Sequence, residues 1–276
     1  MTRRPTIVAS AVRIFELSLG QMLWSRRSVF LALIAAVPVG LAGLIRFAAF
    51  AEPGALPQIN GERLDGAVLF GLMIWLLYVR FIVPVLGMFY GTSLIADEVD
   101  DKTITYLFVR PIPRGAVLVG KYLAYFVCTA LLILPSVVLV YFLLVPVGGS
   151  SIGRLFPSLV VDLGVIAAGI ASYGGLFAWV GARLKRPLVI GLVFVFGWEP
   201  GVVLFPGYLK RATIAYYMHG LVPHTMPQDS GINILLQVFQ EIPPVPLSLA
   251  ALAGVTLVGV WLAARAAETR EYVLDQ

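Results

Sequence analysis

Hydrophobic and polar positions fall along this chain in long blocks rather than as single alternations. Six apolar blocks lie near 28–47, 65–95, 116–145, 157–181, 187–205 and 245–264. Each matches or exceeds the roughly 20 residues that a helix needs to cross a hydrocarbon core about 30 Å thick. Pro, Gly and charged residues gather between the blocks, in "AEPGALPQINGERLDG", "VGGSSIG", "ARLKRP" and "MPQDSG". The pattern predicts an all-α polytopic membrane protein with six transmembrane helices. No soluble domain, low-complexity tract or internal repeat interrupts it, so 1–276 reads as a single transmembrane domain.

The stretch 6–27 follows a different rule. Val8, Val12, Phe15, Leu19 and Met22 recur at helical spacing, while Arg13, Glu16 and Gln21 interrupt the opposite side. Such a helix suits the membrane interface, with Trp24, Arg26 and Arg27 at headgroup level; the alternative is a plain cytoplasmic extension of the first span. Charges at this density argue against a spanning segment. A secretory signal is not expected either, because the apolar run begins only after Arg27 and no small-residue cleavage site follows it.

Composition agrees with a lipid solvent. Of 276 residues, 59% are hydrophobic and 13% charged, and the mean hydropathy is +0.92; soluble domains average about 25% charged. The cations are unevenly placed. Arg3, Arg4, Arg13, Arg26 and Arg27 precede the first span, and Lys102, Arg110, Arg114 and Lys121 lie between the second and third. Arg183, Lys185 and Arg186 follow the fourth, and Arg265 and Arg270 close the chain. The intervening loops hold only Arg46, Arg63, Arg154, Lys210 and Arg211. Positive residues mark the cytoplasmic side, so both termini are expected inside and 206–244 outside. The net charge of +5 follows from that bias and is no sign of nucleic-acid binding.

The inner loop 96–115 carries most of the candidate chemistry. Asp97, Glu98, Asp100 and Asp101 precede "TITYLFV", and Arg110-Pro111-Ile112-Pro113-Arg114 follows it. Acidic residues ahead of Thr103 and a basic, Pro-marked end suit a short helix. Ile104, Leu107 and Phe108 give it an apolar face that requires a partner, most simply another protein. Next comes "GAVLVGKY", one residue away from a phosphate-binding loop. Tyr122 stands where the metal-binding Ser or Thr belongs, no strand precedes the stretch, and the helix that follows is a membrane span. Gly115 and Gly120 allow a tight turn into that span, and Lys121 snorkels to the interface. This chain is not expected to bind ATP.

The run Glu98…Thr103…Leu107…Pro111…Arg114…Gly120-Lys121 resembles the cytoplasmic loop of ABC-2 type transporter permeases, E-x-x-x-G-T-L-x-x-L-L-x-x-P-x-x-R with G-K a few residues on. Lys102 replaces the usual Gly and Ile104 the usual Leu. The likeness extends over the N-terminal helix, the six spans and "WEP" at 198–200. The resemblance implies that 96–115 is a coupling element, with Glu98, Thr103, Leu107, Phe108, Arg110, Pro111, Arg114 and Lys121 at or near the contact. It also implies a separate ABC ATP-binding subunit, two copies per transporter, carrying ATP and Mg²⁺. A second permease copy or paralogue would complete a pathway in the bacterial plasma membrane, working as an exporter, with short helices between the fifth and sixth spans.

Three ionisable residues lie inside predicted spans: Arg80, Asp162 and Glu199. Each costs about 2.5–3.5 kcal/mol at the centre of a helix, so Arg80 needs water or a partner. It is either a pathway residue or half of a buried pair, for which Asp162 is the preferred carboxylate. Gly197, Pro200 and Gly201 break the helix around Glu199, whose carboxylate could cap a broken or re-entrant segment. An ion-coupled secondary transporter using these three charges is the competing function; it calls for paired broken helices, and one break is evident. Small residues on the fourth span (Ala167, Ala171, Gly175, with Gly164, Ala168, Ser172) suit close packing. His219 and His224 are poorly spaced for a metal, Cys128 is alone, and no catalytic constellation is visible. The chain is not expected to be an enzyme.

Overall fold

The computed structural model of the protein describes residues 7–24, 26–51, 58–59, 62–63, 65–100, 114–202, 208–223 and 242–269. Helix α1 (Ile7–Leu23) leads into α2 (Arg26–Ala51). A two-residue ladder, β1 (Gln58–Ile59) antiparallel to β2 (Glu62–Arg63), precedes a long composite helix. That helix comprises α3 (Gly66–Met73), a π-helical stretch (Ile74–Ile82) and α4 (Val83–Asp100). Then come α5 (Arg114–Leu144), α6 (Ile152–Arg183), α7 (Pro187–Leu192), a second π stretch (Val193–Trp198) and α8 (Glu199–Gly201). A 3-10 turn (Tyr208–Ala212), α9 (Ile214–His219) and α10 (Val245–Thr269) complete the order.

Among the described residues, five helices are long and apolar enough to cross a membrane: α2, α3–α4, α5, α6 and α10. The predicted fifth span, 187–205, is the exception. Its apolar helix runs only from Pro187 to Gly201, roughly 22 Å at 1.5 Å per residue, short of the core thickness of about 30 Å.

Glycine sets how closely the long helices approach. A Cβ on Gly87 would come 2.4 Å from Tyr173 Cβ, and one on Gly91 2.8 Å from Phe177 Cβ. Farther along, one on Gly181 would come 2.3 Å from the Thr92 carbonyl. These contacts advance together, so α4 and α6 run side by side in the same direction. On the other flank of α6, a Cβ on Gly259 would lie 2.6 Å from the Gly175 backbone. Ser172 Oγ donates to the Leu252 carbonyl at 3.1 Å, so α10 is parallel to α6 as well. The expected small-residue stripe is therefore used at Ser172 and Gly175, whereas Gly164 faces open space. The glycines of α4 that meet the opposite flank were not anticipated.

These contacts also orient the chain ends. The Glu268 carboxylate, near the end of α10, lies 2.8 Å from where a Cβ on Gly115 would be, at the start of α5. A Cβ on Gly120 would come 2.7 Å from the Ala11 carbonyl of α1. Both ends of the described chain thus sit at one end of the bundle, beside the start of α5. At the opposite end Arg46 Nη1 donates to the Leu143 carbonyl at 3.0 Å, serving the last turn of α5. Asp65 Oδ1 accepts from the Gly66 N–H at 2.7 Å to start α3. Gly148 and Gly149, at φ 82 and 88, make the turn out of α5, a backbone that side chains with a Cβ avoid.

The face of α1 turned to the protein is Ala11, Ile14 and Ser18. Val12, of the apolar stripe expected at the membrane interface, is 49% exposed. Gly120 of α5 meets the protein-facing side at the Ala11 carbonyl and Ile14. Asp97, Glu98 and Asp100 lie in the last turns of α4; the short helix expected after them falls outside the described residues. Nothing from 94 to 100 is Pro or Gly, so no residue stops the helix earlier.

Helix α10 offers an internally controlled test of the packing. Gly254 has open space around its missing Cβ, unlike Gly259. Gly259→Ala should lower stability by about 1–3 kcal/mol through overpacking. Gly254→Ala should be neutral or stabilising by up to about 1 kcal/mol through helix propensity. Denaturation midpoints of the purified protein in one detergent read both, and equal effects would refute the packing account.

Candidate functional site

The chain leaves α6 at the end of the bundle where α10 finishes, yet enters α10 at the other. It must cross once more between them, and it does so in two pieces. From Pro187 the first piece climbs to Gly201; the second, α9, continues the crossing. Met218 of α9 meets α6, where a Cβ on Gly169 would lie 2.3 Å from its terminal methyl. Gly220 then reaches Ser248 and Pro243 at the start of α10. Thr213, Ile214, Ala215, Tyr216 and Met218 are all buried. Part of what the sequence assigned to an outer loop, 206–244, is therefore inside the bundle.

Glu199 stands at the break between the two pieces and is 4% exposed. Its Oε1 accepts from Tyr173 Oη at 2.9 Å and from the Ile214 N–H, the first of α9, at 3.1 Å. The other oxygen, Oε2, has no hydrogen-bond partner among the described residues, and the Ala215 N–H also acts on the carboxylate. Since Tyr173 is ten residues before Arg183, the carboxylate sits roughly 15 Å or more from that end of α6, near the middle of the bundle. Non-helical backbone at such a depth is tolerated only when buried in protein, and the Glu199–Ile214 bond supplies one of the partners it needs.

Arg80 completes the cluster. Its Nη1 lies 3.5 Å from the Glu199 carbonyl, and its guanidinium is 5.4 Å from the centre of the Trp75 ring. Its charge interacts with Glu199 and Tyr173. The sequence suggested Asp162 as the carboxylate beside Arg80; the structure shows a contact with the backbone carbonyl of Glu199. Asp162 is fully buried on α6. Trp75 Nε1 donates to His219 Nδ1 at 3.1 Å, tying the end of α9 to the π stretch.

Both π stretches belong to this site. The first contains Trp75 and Arg80, and the second ends at Trp198, immediately before Glu199. Each closes two residues before a proline, Pro84 or Pro200. In a regular α-helix a proline ring presses on the carbonyl four residues back, here that of Arg80 or Phe196; winding the preceding turns to i→i+5 relieves it. Pro38 and Pro135 sit inside α2 and α5 without such widening, so proline is a necessary signal here and not a sufficient one. Tyr173, Trp75 and the His219 contact carried no sequence signal.

The loop residues fare differently. Thr103, Leu107, Phe108, Arg110 and Pro111 lie outside the described residues. Glu98 falls in α4 and Arg114 is the first residue of α5. Residues 115–122 are continuous helix in α5 and form no loop that could cradle phosphate. Lys121 Nζ reaches the Leu94 carbonyl of α4 at 3.4 Å. Among the described residues, no group of three His, Cys, Asp or Glu side chains could hold a metal ion.

With this architecture in view, the family comparison is decisive: the profile of the ABC-2 family transporter proteins matches residues 10–263. The chain belongs to the ABC-2 family. It is a multi-pass membrane protein, the permease component of an ABC transporter, and membership implies association with an ABC ATP-binding subunit. Members of this family are transmembrane components rather than enzymes. A comparison with curated proteins gives no match.

For this ABC-2 permease, the pairing of Arg80 is testable by a double-mutant cycle. Removing one partner of a buried pair typically costs about 3–5 kcal/mol because the other charge is stranded. Arg80→Ala and Glu199→Ala should each destabilise strongly, and the double variant should recover part of the sum. The Arg80→Ala/Asp162→Ala cycle should show the smaller coupling. A larger coupling with Asp162 would overturn the assignment.

Proposed function

We propose that the chain forms the transmembrane pathway of an ABC exporter and is driven through 96–115 by a separate ATP-binding subunit. Two copies of that subunit, and a second permease copy or paralogue, complete the transporter in the bacterial plasma membrane. Both termini face the cytoplasm, 96–115 is the coupling loop, and α1 lies in the inner interface. Six crossings result when the broken Pro187–Gly201 and α9 pieces count as one. The observation that carries the reading is the family match over 10–263, which takes in the loop as well as the spans. It is supported by the two chain ends at one end of the bundle and by the cation excess on the segments that join there.

ATP and Mg²⁺ belong, on this proposal, to the partner subunit; the helical geometry of 115–122 supports that division of labour. The competing reading, a secondary transporter coupled through Arg80, Asp162 and Glu199, calls for paired broken helices. A single broken crossing occurs among the described residues, and family membership does not favour it.

Three measurements test the proposal. Leu107→Asp puts a carboxylate where desolvation is costly, so the permease should reach the membrane yet fail to co-purify with its ATP-binding subunit. Lys121→Ala should leave nucleotide binding by the isolated chain at background, and ATP binding that this substitution abolished would refute the division of labour. In a Cys128→Ala background, an impermeant thiol reagent applied to intact cells should label Asp229→Cys and spare Lys102→Cys. The reverse pattern would invert the topology.

A further inference from the structure

We propose that α9 is a movable outer half of the fifth crossing, latched shut by the Glu199 carboxylate, and that Glu199 with Arg80 forms the positioning pair of an outer gate. The inference rests on the transport reading for its purpose, but not for its physics. At its first residue α9 is held by the Ile214 N–H to Glu199 Oε1, and at its last by Trp75 Nε1–H to His219 Nδ1. Both bonds come from side chains of other elements, and they bracket a six-residue helix. A helix that short has no stability of its own, so α9 keeps its place through those two bonds together with its packing on α6 and α10.

The latch is poised rather than locked. In the closed arrangement Glu199 Oε2 is buried without a hydrogen bond among the described residues, a costly condition for a carboxylate oxygen. Moving α9 away removes the Ile214 donor from Oε1, and it also admits water that can satisfy both oxygens. Opening and hydration are therefore coupled: the closed state carries a penalty that the open state relieves. Arg80 keeps a cation beside the carboxylate in both states. Intramembrane ionisable groups usually face a bundle interior or a water-filled cavity, and in the open state this pair would line one.

The test uses the full-length chain in lipid nanodiscs, lacking Cys128, its single cysteine, and a soluble maleimide as probe. Ala215→Cys reports on α9, where the residue is 6% exposed, and Ala263→Cys reports on the body of α10, where it is 0% exposed. Two variants break the latch by different means. Glu199→Ala removes the acceptor. Ile214→Pro removes the donor while keeping both charges. Thr213 is extended, at φ −113 and ψ 143, as a residue before proline should be, and proline suits the first helical position. Each variant should accelerate labelling at 215 by about tenfold, the factor expected for loss of one buried hydrogen bond, with 263 unchanged. Glu199→Gln, which keeps an acceptor for Ile214, should restore slow labelling. Equal acceleration at both sites means general loosening, and no acceleration at 215 means no latch; either overturns the proposal. Where Glu199→Ala does not fold, Ile214→Pro carries the comparison alone. The assay needs no ATPase and no substrate, so its failure counts against the gate, whereas failed co-purification counts against the coupling reading.

Discussion

Backbone N–H and C=O groups in hydrocarbon must find partners within the protein, and the crossings of this chain show the consequences. Four long helices and one composite helix meet the requirement by themselves. The remaining crossing does not, because Gly197, Pro200 and Gly201 end its first half near the middle of the bundle. It is held there because Glu199 receives the first N–H of α9 and because the π stretch of Arg80 and Tyr173 of α6 flank the break. A charged residue that looks like a liability in the sequence is the piece that makes the interruption tolerable.

That arrangement depends in turn on glycine. Gly87 and Gly91 let α4 lie against the backbone of α6 around Tyr173 and Phe177, and Gly175 and Gly259 do the same for α10. Dispersion and fit, rather than hydrophobic burial, drive helix association in lipid, so close approach is worth most where no side chain intervenes. Tyr173, fixed in this way between two helices, presents its hydroxyl to Glu199. The π-helical turns widen two helices at the same level and bring Arg80 and Glu199 within reach of each other.

The family reading and the charge cluster concern opposite ends of one machine. The loop that would receive work from ATP hydrolysis joins α4 to α5, and both helices extend without interruption from that loop into the bundle. Lys121, on the first turns of α5, reaches the Leu94 carbonyl of α4 and so links the two helices close to the loop. The π stretch that carries Arg80 is continuous with α4. A displacement at the loop thus has a rigid route to the Arg80–Glu199 pair, through a single helix rather than a chain of loose contacts.

Much of this was legible in the residues alone. The apolar blocks set the class, since helix length and bilayer thickness are matched by simple arithmetic. The uneven cations suggested an orientation, and the spacing from Glu98 to Lys121 pointed to the ABC-2 family. Glycine and proline at 197–201 marked the break. What the residues could not decide is which distant groups meet there. Asp162 was the carboxylate that the residues suggested for Arg80, and the approach of Glu199 to it depends on how far π-helical turns rotate two helices, a quantity set by neighbours on other helices. The face that α1 buries depends on Gly120 of α5, more than a hundred residues away. The re-entry of α9 was hidden for the same reason: six residues have no periodicity strong enough to show in sequence, and their position is held by contacts with Glu199, Trp75 and Gly169. Local pattern determined the helices, because each satisfies its own backbone; only tertiary packing decided the site, because every bond in it joins residues far apart in the chain.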